Sequence, residues 1–191
     1  PGIGKVARMI VQITDVDQHI TEWVVDHRVE PLTTIVRIVT VLGNTVTLWL
    51  VATVVVVVLA ARRHVTEAVY VGVGALTGSL LMVILKHIFA RARPPRDDRL
   101  LHIESYSFPS GHSMMTMVVY GLIAVAAYRL IPWVRAHPWS MALAPVISIL
   151  VGLTRIYLGV HWTTDVLAGW IIGALWVGLC TWVLSLWLSR A

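Results

Sequence analysis

Three short stretches hold residue types that bind anions and move protons. KHIFARARPP carries Lys86 and Arg93, FPSGHS carries Ser110, Gly111 and His112, and TRIYLGVHWTTD carries Arg155, His161 and Asp165. The last lies between two long apolar runs, where an Arg, a His and an Asp are expensive to keep. One Lys and two Arg make a wall for a trianion, and guanidinium forks match phosphate oxygens two at a time. Ser110-Gly111 at a helix start offers backbone N–H groups and the positive end of the helix dipole. Gly111 lets a backbone approach closely. His161 and Asp165 are four apart. If that turn is helical, the carboxylate takes the Nδ1 proton and aims Nε2 outward, as for a nucleophilic histidine. His112 is then free to act as a general acid on a leaving oxygen.

The elements that must position these residues read as membrane helices. The 191 residues are 58% hydrophobic and 13% charged, against about 25% charged in soluble domains. Residues 38–61, 68–85, 105–128, 136–154 and 166–189 carry no Asp, Glu, Lys or Arg. Each is long enough, or nearly so, to cross a hydrocarbon core of about 30 Å. Lipid offers the backbone no partners, so these runs are expected to be helical. The predicted class is an all-α integral membrane protein with five transmembrane helices, six if one lies upstream of the apolar start at residues 6–14. Residues 15–30 are amphipathic, with Val16, Ile20, Trp23 and Val24 on one face, and read as an interfacial helix. Pro31 suits the first turn of the next helix, and Gly43-Asn44 reads as a break. Gly74 with Gly78, and Gly169 with Gly173, are small pairs that allow close helix packing. A kink is expected at Pro145. Residues 90–111 form the longest loop, the expected active-site loop, within one membrane-embedded domain, 1–191.

Successive spans alternate direction. The end of the second (Lys86), the start of the third (His112), the end of the fourth (Arg155) and the start of the fifth (Asp165) therefore share one membrane face. The net charge of +5 comes from 13 Arg and 2 Lys against 10 acids. The Arg cluster at span ends, which fits anionic headgroups and topology rather than nucleic acid. Cys180 is alone and forms no internal disulfide or Cys-based metal site. No signal-peptide pattern is visible.

The set resembles the type 2 phosphatidic acid phosphatase family, whose site is shared with vanadium haloperoxidases. Lys86 with Arg93-Pro94 matches the first motif, Pro109 to His112 the second, and Arg155, His161 and Asp165 the third, with Thr154 where Ser is usual. The match runs from Lys86 to Asp165. The resemblance implies that His161 attacks phosphorus to form a phosphohistidine, His112 protonates the leaving group, and water cleaves the phosphoenzyme. Asp165 would orient and charge-balance His161. Lys86, Arg93, Arg155 and the Ser110-Gly111 amides would hold the phosphate oxygens, with no metal or cofactor. The implied substrate is a membrane lipid.

Other polar residues read more plainly. His19, His27, His64, His87, His102 and His137 are expected at the surface or headgroups. Asp97 and Asp98, flanked by Arg96 and Arg99, read as a solvated, self-paired loop. Trp133, Trp139 and Trp162 fit an aromatic belt, and Trp170, Trp176, Trp182 and Trp187 face lipid or a neighbouring helix. The face opposite the site holds Arg62, Arg63, Arg129, Arg135 and Arg190, with Glu67 the only nearby acid. The positive-inside rule puts that face in the cytoplasm and the site outside the plasma membrane. The expected activity is hydrolysis of a lipid phosphate or diphosphate, with a polyprenyl diphosphate carrier favoured. Phosphatidylglycerol phosphate, phosphatidic acid and diacylglycerol pyrophosphate are alternatives, as is phosphotransfer to an acceptor. The motifs read the phosphate and not the tail.

Overall fold

The computed structural model describes residues 3–190, with side chains from residue 14 onward. Its helices are α1 (Ile3–Asp26), α2 (Glu30–Thr40), α3 (Thr45–Ala61), α4 (Val65–Phe89), α5 (Gly111–Leu130), α6 (Pro132–Ala136), α7 (Leu143–Tyr157) and α8 (Thr163–Leu188). The valine-rich run of α3 is helical despite its strand propensity, as backbone self-sufficiency in lipid requires. Four helical stretches are long and apolar enough to span a membrane, and α2 with α3 makes a fifth, bent by 44°. The bend falls at the expected break, where a 3₁₀ turn at Val41–Gly43 leads into an extended Asn44.

α5 is the hub, packed against α4, α7 and α8. The glycine pairs set the close crossings. An added Cβ would lie 2.9 Å from the Ser110 carbonyl at Gly169 and 2.8 Å from the Met114 carbonyl at Gly173. At Gly74 it would meet Leu122 at 2.8 Å, and at Gly78 the indole of Trp176 at 3.0 Å. Val71, Met114, Val118 and Leu122 are fully buried in this seam, while the outer faces present Leu80, Ile84, Leu175 and Val183. Trp182 and Trp187 are exposed, and Trp170 and Trp176 turn inward to donate to the carbonyls of Ser148 and Gly74.

Two boundaries differ from expectation. The N-terminal helix occupies Ile3–Asp26 rather than 15–30, and Glu30 already opens α2 with Pro31 in its first turn. The apolar start at 6–14 continues into the same helix as backbone, and its side chains before residue 14 lie outside the described ones. Pro145 does not fall in mid-helix. It sits in the first turn of α7, directly after a 3₁₀ turn at Pro138–Ala142, where its missing N–H has no helical acceptor to lose.

Candidate active site

The last turn of α4 carries Lys86, and the first turn of α5 carries Gly111 and His112. Arg155 ends α7, and a tight turn then delivers His161 and the start of α8. Gly159 makes that turn possible. Its φ is +69°, and a Cβ there would sit 2.3 Å from the Asp98 carbonyl. The His161–Asp165 segment is therefore not one helical turn. His161 precedes α8, Trp162 is its extended N-cap, and Asp165 is the third helical residue. Its carboxylate accepts the Trp162 backbone N–H at 3.0 Å, the N3-to-N-cap arm of a capping box.

His161 and Asp165 are almost wholly buried. Asp165 Oδ2 lies 3.5 Å from His161 Nδ1. Ser107 sits between them, donating its hydroxyl to Asp165 Oδ2 and lying 3.5 Å from the same Nδ1. On the other side of the ring, Arg93 Nη1 is 3.0 Å from His161 Nε2. A guanidinium only donates, so Nε2 carries a lone pair and the proton resides on Nδ1. Burial pushes the His161 imidazole down to about 3, opposed by its hydrogen bond to Asp165 and reinforced by Arg93 and Arg155. The ring is neutral near pH 7, with its free lone pair facing the cations.

Those cations are held by neutral acceptors. Lys86 Nζ donates to the Tyr106 carbonyl at 2.6 Å. Arg93 donates to the carbonyls of Ser105, Val160 and Tyr106. Burial pulls Arg93 down to about 10, with Asp165 opposing, so it remains charged. Arg155 is 1% exposed, donates through Nη1 to Thr40 Oγ1 at 2.8 Å, and leaves its buried Nε without a partner. Among the described residues, no carboxylate forms an ion pair with any of the three.

Ser110 has a different place from its neighbours. Its N–H donates to the Asp165 carbonyl at 3.0 Å, and its hydroxyl accepts from Ser113 as the α5 N-cap. The first-turn amides with no helical acceptor are those of Gly111 and His112. His112 Nε2 pairs with Asn44 Oδ1 at 3.0 Å. Gly43 brings the bend of the first span onto that ring, since an added Cβ would lie 2.9 Å from His112 Cδ2.

Lys86, Arg93, Gly111, His112, Arg155 and His161 line one cavity of about 420 Å³. Its remaining wall is largely apolar, with Leu48 and Trp49 from α3, Ala75, Met82 and Val83 from α4, and Met115 and Val119 from α5. His87 lies at its rim and is otherwise exposed.

Several contributors carry no motif. Thr40 and Ser107 gave no sequence signal beyond being polar, and Asn44 was read only as part of a break. Arg91, which the sequence did not single out, bridges Asp165 and Asp17 at 2.6 and 2.7 Å. Arg99 donates to the carbonyls of Pro94 and Ile103, so the loop's charges are not self-paired as expected.

Comparison with known proteins finds relatives in sequence and in fold. Phosphatidylglycerophosphatase B of Bacillus subtilis (strain 168) is 44% identical over 100 residues, covering 52% of this chain and 49% of that protein. An undecaprenyl-diphosphatase of Sulfolobus acidocaldarius is 28% identical over 116 residues, covering 56% of this chain and 52% of that one. The chain thus spans about half the length of these curated relatives. The crystal structure of a transmembrane PAP2 type phosphatidylglycerolphosphate phosphatase from Bacillus subtilis superposes with a TM-score of 0.84 at 32% identity, covering 89% of this chain and 85% of that one. Aquifex aeolicus LpxE shares the fold, with a TM-score of 0.67 at 20% identity over 86% of this chain and 93% of that one. The PAP2 superfamily model matches residues 67–188, which hold all three motifs, and the chain belongs to that superfamily.

Proposed function

We propose that this protein hydrolyses a phosphate or diphosphate carried by a membrane lipid, without a metal, through a phosphohistidine on His161. The observation that carries the reading is the buried Arg155 beside Arg93 and Lys86, with the His161 lone pair facing them, in a cavity whose other wall is apolar. A buried cation without an ion-pair partner, flanked by two half-buried ones, favours an anion, and an apolar wall suits a lipid tail. His161 Nε2 attacks phosphorus, and the bond to the leaving oxygen breaks. His112 gives that oxygen a proton. Water then attacks the phosphohistidine, its proton passes to His112, and phosphate leaves with Nε2 restored as a lone pair. Lys86, Arg93, Arg155 and the Gly111 and His112 amides hold the equatorial oxygens as charge spreads in the transition state. Asn44 holds the His112 ring through Nε2.

The polyprenyl diphosphate favoured from sequence has support in the Sulfolobus relative. Phosphatidylglycerol phosphate has more, from a relative of higher identity and from a close structural match. Phosphate release in detergent with EDTA, from both lipids and from phosphatidic acid, tests the reading. The parent should release phosphate and His161→Ala should not. Loss of activity in EDTA that magnesium restores would refute the metal-free mechanism. Product mass without free phosphate would move the reading to phosphotransfer. The side of the membrane follows from charge, with Arg62, Arg63, Arg135 and Arg190 exposed at the far end. We place the site on the extracytoplasmic face of the plasma membrane. Labelling of a cysteine placed at His102 by an impermeant reagent in intact cells checks this.

A further inference from the structure

Helix α1 turns two polar residues, Asp17 and Thr21, inward. Trp23 is 62% exposed, whereas Asp17, on the same helix, is fully buried. Both oxygens of the Asp17 carboxylate are engaged. Oδ1 accepts the backbone N–H of Thr164 at 3.0 Å, and Oδ2 accepts the Thr164 hydroxyl and Arg91 Nη2. An anion is thereby fixed at the N-terminus of α8, where the helix dipole favours it. Arg91 carries the connection onward. Its Nη1 donates to Thr164 Oγ1 at 2.7 Å and to Asp165 Oδ1 at 2.6 Å, and its guanidinium lies 5.6 Å over the Trp162 ring. With Oδ1 held by Arg91, the other oxygen of Asp165 is the one that faces Ser107 and His161.

We infer that Asp17 and Arg91 are positioning residues, through which helix α1 fixes the Asp165 carboxylate and hence the orientation of His161. Neither lines the cavity. Two carboxylates share one guanidinium, so the trio has a formal charge of −1. That charge faces the ring that becomes cationic when Nε2 bonds to phosphorus. A fork held at both ends sets the carboxylate plane, which a single point charge does not.

This inference rests on the phosphatase reading. The test measures kcat, KM and vanadate inhibition for the full chain in detergent, with phosphatidylglycerol phosphate and polyprenyl diphosphate as substrates. The variants are Asp17→Asn, Arg91→Lys and both together. Asp17→Asn keeps an acceptor and drops the charge, and Arg91→Lys keeps the charge and drops the fork. Each should lower kcat about tenfold, the lower end of what supporting hydrogen bonds to a catalytic group give. KM and the vanadate inhibition constant should stay within about twofold, because the phosphate cations are untouched. The double variant should lose little more than either single, as expected of one chain of contacts. Wild-type kcat in either variant, a parallel loss of vanadate binding, or additive losses would overturn the inference. Should Asp17→Asn fail to fold, Arg91→Lys in the loop decides alone. A parent that releases no phosphate refutes the phosphatase reading and this inference with it. An active parent matched by its variants refutes the inference only.

Discussion

At the end of the bundle away from the cavity, Arg129 donates to Glu67 at 3.1 Å, and Arg62, Arg63, Arg135 and Arg190 stand exposed. At the cavity end, Arg155 is buried against a threonine hydroxyl with its Nε unpartnered, and Arg93 and Lys86 donate to backbone carbonyls. The first group keeps its charge in water or beside an acid, as the positive-inside reading requires. In the second group Arg155 is desolvated without an ion-pair partner, a penalty on the order of several kcal/mol, and Arg93 and Lys86 are half-buried beside it. Arg91 lies between these extremes. It shares the cavity end but is neutralised twice over, by Asp17 and Asp165. The same side chain therefore does three jobs in one chain, and its partners tell the jobs apart.

The sharpest way to break this comparison is to truncate one arginine of each kind. Arg155→Ala should cut kcat/KM by about 10³-fold, the scale of losing a transition-state donor in a water-poor site. Arg129→Ala should leave kcat/KM within about twofold and instead lower the melting temperature, since it strands the largely buried Glu67. Equal losses of activity would erase the distinction. Asn44→Ala tests the other wall of the cavity. It removes the acceptor on His112 Nε2, and kcat should fall about tenfold, part of the 10² to 10⁴ that a general acid contributes. Single-turnover traces should place the loss in leaving-group departure.

The smallest effect is on stability against pH. His161 has a folded pKa of about 3, against about 6.5 for a free imidazole. The unfolded chain therefore takes up the proton first as pH falls. The stability contributed by the neutral ring is fully present above about pH 6.5 and is lost as pH drops toward about 3. His161→Gln should flatten that dependence, so its melting temperature should fall less than the parent's between pH 7 and pH 5. An unchanged slope would mean that the ring is not buried as described.

Much of this was legible in the sequence. Charge-free runs marked the spans because charge is costly in lipid, and helix parity brought Lys86, His112, Arg155 and Asp165 to one face. Motif spacing selected His161 and Arg93. What stayed hidden depends on contacts between distant positions of ordinary type. Asp17 did not stand out among the acids of an amphipathic helix, because a helical wheel finds the apolar face but not which side meets protein. Val16 and Trp23 are exposed while Asp17 and Thr21 are buried, so the inward side of α1 is not its apolar face alone. Ser107, Thr40 and Asn44 were invisible as site contacts for the same reason. Ser110 was legible at a helix start as an N–H donor to phosphate, but its N–H goes to a carbonyl 55 positions away, which no local pattern reports.

The bend at Val41–Gly43 bears on how portable the motifs are. The segment matched by the superfamily model starts at residue 67, yet the acceptor on Arg155 is Thr40 and the acceptor on His112 is Asn44, on either side of that bend. A straight first span would carry these two side chains away from the guanidinium and the imidazole ring they hold. A transplant of the three motifs into another helical bundle would thus move the reactive groups and leave behind the scaffold that aims them. Designers borrowing this site need the broken helix as much as the histidines.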